Sequence, residues 1–269
     1  MPGRADIPIP QPMRALITQR LGEIAHDNDV RILFAVESGS RAWGFPSPDS
    51  DFDVRFVYAH RPDFYLSIDR RHDVIELPIE GDLDINGWDV KKALQLLIKP
   101  NPVILEWLRS PIVYAADAPA MVALAELGER TAHLRPSTHH YLHLAQSQFR
   151  RFIDGKDEVA LKKYFYVLRP TLALRWLRTR PDEPVPMALP ELRASLDLPT
   201  SVSAFLDELL ARKAQTRELG SGPRITQLDD LVAAELDIAR DTVAELDAPS
   251  KQLTADANTL FRSLVKQEW

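Results

Sequence analysis

The polar and apolar positions change rhythm along the chain. Residues 12–28, PMRALITQRLGEIAHDN, space their apolar side chains about every 3.6 residues, which predicts an amphipathic helix. VRILFAV (30–36) is a short β-branched run and predicts a buried strand; DFDVRFVYA (51–59) alternates with period two and predicts a second. HDVIELP (72–78) and GDLDING (81–87) predict two more strands, with Gly81 at the turn between them. WDVKKALQLLIK (88–99) reads as a helix stopped by Pro100 and Pro102, and VILEWLRS as a short helix before Pro111. After residue 117 the period-two signal fades. Helical patterns follow at 117–130, 137–154, 157–179, 203–218, 227–246 and 250–267, with Pro-rich 180–190 as a loop. Pro170 falls inside one of these patterns and predicts a kink or break. The expected fold is α+β: a mixed-sheet unit over 1–115, then a helical domain over 116–269.

One strand carries chemistry. The alternation Asp51-Phe52-Asp53-Val54 puts two carboxylates on one face, where they repel unless solvated or bridged by a cation. Just upstream, Gly39-Ser40 follows the end of a strand. Exposed backbone N–H groups at such a turn cradle phosphate oxygens, and the serine hydroxyl adds a donor. Asp51 and Asp53 are suited to hold magnesium through oxygen ligands, and a third carboxylate from a neighbouring strand would complete a two-ion site. Asp84 is the first choice for that carboxylate and Asp82 the second. Taken alone, a Gly-Ser turn ahead of a DxD strand is also what a solvated strand start looks like.

GSRAWGFPSPDSDFDVR (39–55) resembles the signature of nucleotidyltransferases of the DNA polymerase beta superfamily, a GS turn followed by a DxD strand. More narrowly, with DINGWDVKKAL (84–94), NPVILEWLRSPIVY and KKYFYVLRPTLALRWL (162–177), it looks like the RlaP-type nucleotidyltransferases named for association with RNA ligases. The resemblance implies a polymerase-beta-like core and transfer of a nucleotidyl group from a nucleoside triphosphate, ATP among the donors. It implies that Gly39 and Ser40 grip the triphosphate. Asp51 and Asp53 would then bind two Mg2+ ions, with Mn2+ as a substitute, and Asp84 would act as third acid and base for the attacking hydroxyl. Arg41 and Arg55 would neutralise phosphate charge. The implied acceptor is an RNA end, such as that of a tRNA under repair; a protein hydroxyl as acceptor, or a non-catalytic nucleotide or RNA binder, are the alternatives.

Composition adds limits. A chain of 269 residues, 45% hydrophobic and 27% charged, is globular. It has no cysteine, which removes disulfides, thiolate nucleophiles and thiolate zinc sites. No apolar run reaches bilayer length and MPGRADIPIPQPM lacks a secretion-signal core, so a cytoplasmic, non-membrane protein is expected. The net charge is −6, yet residues 135–180 hold ten basic against three acidic residues, +7, leaving −13 for the rest. That segment reads equally as an anion-binding surface or a solvated helix face. Within it, Lys162, Tyr166 and Arg169 fall on one helical face, so Lys162 or Lys163 with Arg169 are candidates for the triphosphate and Tyr166 for base or ribose. The alternative is a core-facing aromatic stripe edged by cations. Trp43, Trp88, Trp107 and Trp176 read as packing residues. His139 and His140 are consecutive and splay apart on a helix, a poor chelating pair.

Overall fold

The computed structural model describes residues 9–69, 71–99, 101–131, 134–216, 219–242 and 251–267. Pro100, the expected helix stop, and the ends of two expected helices at 217–218 and 243–246 lie outside them. In chain order the elements are α1 (Gln11–Asp27), β1 (Val30–Ser38), α2 (Gly39–Ala42), β2 (Phe52–His60), α3 (Pro62–Tyr65), β3 (Val74–Glu76), β4 (Leu83–Asp89), α4 (Val90–Ile98), α5 (Pro102–Leu108), β5 (Val113–Ala116) and α6 (Ala118–Glu129). Then come α7 (Leu134–Phe152), β6 (Glu158–Ala160), α8 (Lys163–Thr179), α9 (Leu189–Ala194), α10 (Thr200–Gln215), β7 (Ser221–Pro223), α11 (Thr226–Thr242) and α12 (Lys251–Lys266). Among the described residues no helix is long and apolar enough to cross a membrane.

The chain divides into two compact units. One comprises Met1–Ala42, Asp51–Ala132 and Asp247–Trp269; the other comprises Trp43–Ser50 and His133–Leu246. A single cut at 115/116, expected from the fading strand signal, differs from this division for three physical reasons. α6 packs on the sheet through Ala120, Leu124 and Leu127. α12 returns to the same core, burying Leu253, Ala257, Leu264 and Val265, positions spaced to share a helix face. Residues 43–50 instead join the helical unit. Phe45 is buried and stacks on Phe165 with centroids 4.9 Å apart, and the Trp43 carbonyl accepts from Leu189 N at 2.8 Å.

The first unit is built on a mixed five-stranded sheet of order β3-β4-β2-β1-β5. β2 pairs antiparallel with β1 and parallel with β4, and the outer strands pair antiparallel. Period-two alternation sorts β2. Phe52, Val54, Phe56 and Tyr58 pack with Ile17, Leu21 and Ile24 of α1, while Val57 and Ala59 pack on the other face with α4, α5, α6 and α12. Asp53 and Arg55 share that second face at its polar end. Gly87, register partner of Phe56, leaves room for the ring: a Cβ there would stand 2.2 Å from it. β5, beyond the reach of the sequence pattern, is an edge strand of four residues.

The second unit is helical with one two-stranded ribbon, β6-β7, too short for periodicity to reveal. α8 runs through Pro170 without a break; of the expected kink or break, the break is absent. The residues from Val167 to Leu174 are all buried, so packing on every side holds the helix where one backbone hydrogen bond is missing. α9 occupies the end of the expected Pro-rich loop, with Pro190 in its first turn where a missing N–H costs nothing.

Candidate active site

The turn after β1 places Gly39 at φ +69°, the left-handed region in which glycine is nearly free of strain. A Cβ on Gly39 would stand 2.1 Å from Asp53 Oδ2, so the Asp53 carboxylate lies directly over the glycine backbone. The register explains the approach: Ser38 is the cross-strand partner of Asp53. On its other side Asp53 is the parallel-register partner of Asp84. Of the two candidate third acids, Asp84 therefore stands beside Asp53. Asp82 is exposed just before β4, with its carbonyl accepting from Phe52 N at 2.7 Å. Asp51 precedes the strand and is exposed.

Arg55 answers the repulsion among these acids. Its Nη2 donates to Asp84 Oδ2 at 2.7 Å and lies 3.6 Å from Asp53 Oδ1, while Nη1 donates to the carbonyls of Val54 and Asp84. Asn86 donates to the other Asp84 oxygen at 2.6 Å. Arg41 is buried; its Nε donates to the Asp51 carbonyl at 3.1 Å and its guanidinium lies 3.9 Å from the Phe52 ring centre, bracing the start of β2. Burial lifts the Asp53 carboxyl above its ordinary range; Arg55 opposes this, Asp84 and Asp51 add to it, and Arg41 opposes it weakly. By formal count the three acids Asp51, Asp53 and Asp84 exceed the two arginines, Arg41 and Arg55, by one.

A residue the sequence reading passed over lies beneath. Glu37 is fully buried on the opposite face of the sheet, as its pairing with Val54 requires. Its Oε1 accepts from Asp53 N at 2.9 Å and its Oε2 accepts from the Tyr114 hydroxyl. Burial pushes the Glu37 carboxyl up to about 7, against the lowering effect of both hydrogen bonds. A lone glutamate ending an apolar strand run, two residues before Gly39, was the available signal.

The fit of a divalent cation can be judged from the donor set. Among the described residues no group of three or more histidine or acidic side chains converges as metal ligands. Magnesium needs no such cage, since it is commonly held by one or two carboxylates with substrate phosphates and water. Asp51 and Asp53 offer hard oxygens, and Asp84 stands beside Asp53 in the parallel register. The residues fit the ion.

The predicted basic residues of the helical unit fall into two groups. Lys162, Lys163 and Tyr166 are half-buried at the start of α8. Lys163 Nζ lies 4.3 Å from the Phe152 ring centre and 5.0 Å from that of Tyr166. Burial and the neighbouring Lys162 and Arg151 lower its pKa. Arg169 is buried, donating to the Met187 carbonyl at 3.0 Å with its guanidinium 4.9 Å from Trp43. Arg175 and Arg178 both bind buried Glu235, at 2.7 and 2.9 Å, and Arg180 pairs with Glu183. Arg175, Arg178 and Arg180 of the +7 segment are therefore paired with acids from outside it.

Against known proteins, the profile of RlaP, the RNA repair pathway DNA polymerase beta family, matches residues 13–263. The chain belongs to that family. It is 40% identical over 259 residues to the uncharacterized protein YcgL of Bacillus subtilis (strain 168), covering 96% of this chain and 98% of that one. Among solved structures it is similar to a nucleotidyltransferase-like protein from Exiguobacterium sibiricum, at 12% identity and a TM-score of 0.28, over 94% of this chain and 82% of the other. That score is too low to carry an argument. RlaP membership accords with the α+β core, whose GS turn, DxD strand and acid-bearing third strand stand as described.

Proposed function

We propose that this RlaP-family chain is a magnesium-dependent nucleotidyltransferase that moves a nucleotidyl group from a nucleoside triphosphate to an acceptor hydroxyl, with release of pyrophosphate. The observation that carries the reading is the Asp53 carboxylate seated on the Gly39 backbone, beside Asp84 and with Asp51 just ahead of β2. Asp51 and Asp53 would hold the ions, which when bound supply charge compensation for the phosphates and polarise the α-phosphorus. Gly39 and Ser40 bring the triphosphate against bare backbone, where N–H groups and the serine hydroxyl donate.

Asp84 accepts the proton of the attacking hydroxyl. Arg55, bonded to Asp84, would neutralise phosphate charge beside Asp53. Arg41 keeps the start of β2, and so Asp51, in place. Within the helical unit, the burial of Arg169 assigns it to bracing Trp43. Positioning and charge stabilisation account for most of the barrier reduction in phosphoryl transfer, which suits a site without a covalent nucleophile.

An RNA end is the proposed acceptor, supported by the RNA repair description of the family. The test is incubation with each labelled triphosphate, magnesium and total cellular RNA with protein. Label in RNA is expected. Label in protein alone would move the acceptor to a protein hydroxyl, and label in neither would refute transfer. Asp53→Asn should abolish incorporation while leaving the far-UV spectrum unchanged; a fully active variant would refute the metal assignment.

A further inference from the structure

Two histidines of α7 stand outside everything described above. His139 and His143 are four residues apart, one helical turn, and both are exposed. The consecutive pair His139 and His140 splays, as the helical period requires; the structure pairs His139 with His143 instead. Their Nε2 atoms are 3.2 Å apart, with ring centres separated by 4.3 Å and planes inclined by 63°. Tyr141, Leu142 and Ala145 are buried within the same stretch, so the segment carrying both imidazoles is anchored.

An imidazole nitrogen binds zinc at about 2.0–2.1 Å, so two neighbouring nitrogens on one ion stand about 2.9 Å apart at a right angle and about 3.3 Å apart at the tetrahedral angle. The observed separation falls in that window. The same distance suits a hydrogen bond in which one ring donates and the other accepts. In that state the two Nε2 atoms already face each other across one helical turn. A cation can take the place between them once the donor ring carries its proton on Nδ1, so that both rings ligate through Nε2 in the neutral form.

We propose that His139 and His143 form a surface site for a borderline divalent transition ion, with Zn2+ as its ligand, two protein nitrogens in place and the remaining positions filled by water. Nitrogen donors select against Mg2+, so the site is chemically distinct from Asp51 and Asp53. Among the described residues no third histidine or acid completes it, which leaves coordination positions open. The ion would tie one turn of α7 to the next. This assignment is independent of the transfer reaction.

Isothermal titration of the full chain with Zn2+, Ni2+, Cu2+ and Mg2+ tests it, in an Asp51→Asn, Asp53→Asn background that silences the carboxylates. One ion per chain is expected, with Cu2+ bound more tightly than Ni2+ or Zn2+ and Mg2+ not bound. His139→Ala and His143→Ala should each weaken Zn2+ by at least about tenfold, a loss that even outer partners of metal ligands produce. His140→Ala should leave affinity unchanged. Loading with Co2+ gives a second readout, a visible band from nitrogen-ligated cobalt that His143→Ala should remove. No Zn2+ uptake by the background protein, background-level affinity retained in either ligand variant, or an equal loss in His140→Ala would overturn the site.

Discussion

Glu37 offers the sharpest test of how the sheet supports the acidic cluster. In the unfolded chain a glutamate titrates near 4.5; in the fold burial raises Glu37 to about 7. The folded protein therefore holds this proton more tightly than the unfolded chain. Its contribution is fully present below about pH 4.5 and is lost as pH rises through 7. At about 1.4 kcal/mol for each pH unit between the two values, the native state loses roughly 3 kcal/mol across that window.

Glu37→Gln keeps an oxygen for Asp53 N and a polar group towards Tyr114, but cannot titrate. Urea unfolding at a series of pH values, without divalent ions, gives the comparison. The circular dichroism of the Trp88–Trp107 pair, centroids 4.0 Å apart, reports on the sheet unit. The stability difference, wild type minus variant, should fall by roughly 3 kcal/mol between pH 4.5 and 7 and stay level above. Titrating groups not coupled to Glu37 cancel in the difference. Parallel profiles would refute the argument, for they would mean that Glu37 is solvated or ionised without cost.

Gly39→Ala sets a side chain at φ +69° and 2.1 Å from Asp53 Oδ2; it should cost about 1–2 kcal/mol in thermal unfolding, and abolish magnesium-dependent transfer by displacing the carboxylate. Gly87→Ala, whose Cβ would stand 2.2 Å from the Phe56 ring, should destabilise the sheet unit by about 1–3 kcal/mol, read by urea unfolding. Asp89 caps α4, accepting from Lys91 N at 2.7 Å and from the Tyr65 hydroxyl at 2.8 Å. Asp89→Ala should cost about 1–2 kcal/mol. Burial raises Asp89 to about 6, so Asp89→Asn should flatten the loss of stability between pH 4 and 6 in the same unfolding series.

Local pattern was enough for much of the chain. The alternation of Phe52, Asp53, Val54 and Arg55 assigns each side chain to a face before any partner is known, because strand geometry has period two. The 3.6-residue spacing did the same for α1, α4, α6 and α12, and Gly39-Ser40 ahead of the acids pointed to the candidate site. Partners are another matter. That Asp53 stands beside Asp84 and not Asp82 depends on the parallel register of β2 and β4, which no local pattern encodes. Tyr114 reaches Glu37 across 77 positions of sequence, on an edge strand too short to leave a periodic trace. The arginines at 169, 175, 178 and 180 look in sequence like a charged face. Tertiary packing spends them on Met187, Glu235 and Glu183, because a cation drawn out of water takes the nearest carbonyl or carboxylate. α12 and residues 43–50 likewise joined units that chain order does not suggest. A helix's apolar stripe says that it must be covered, while only the folded chain says by what.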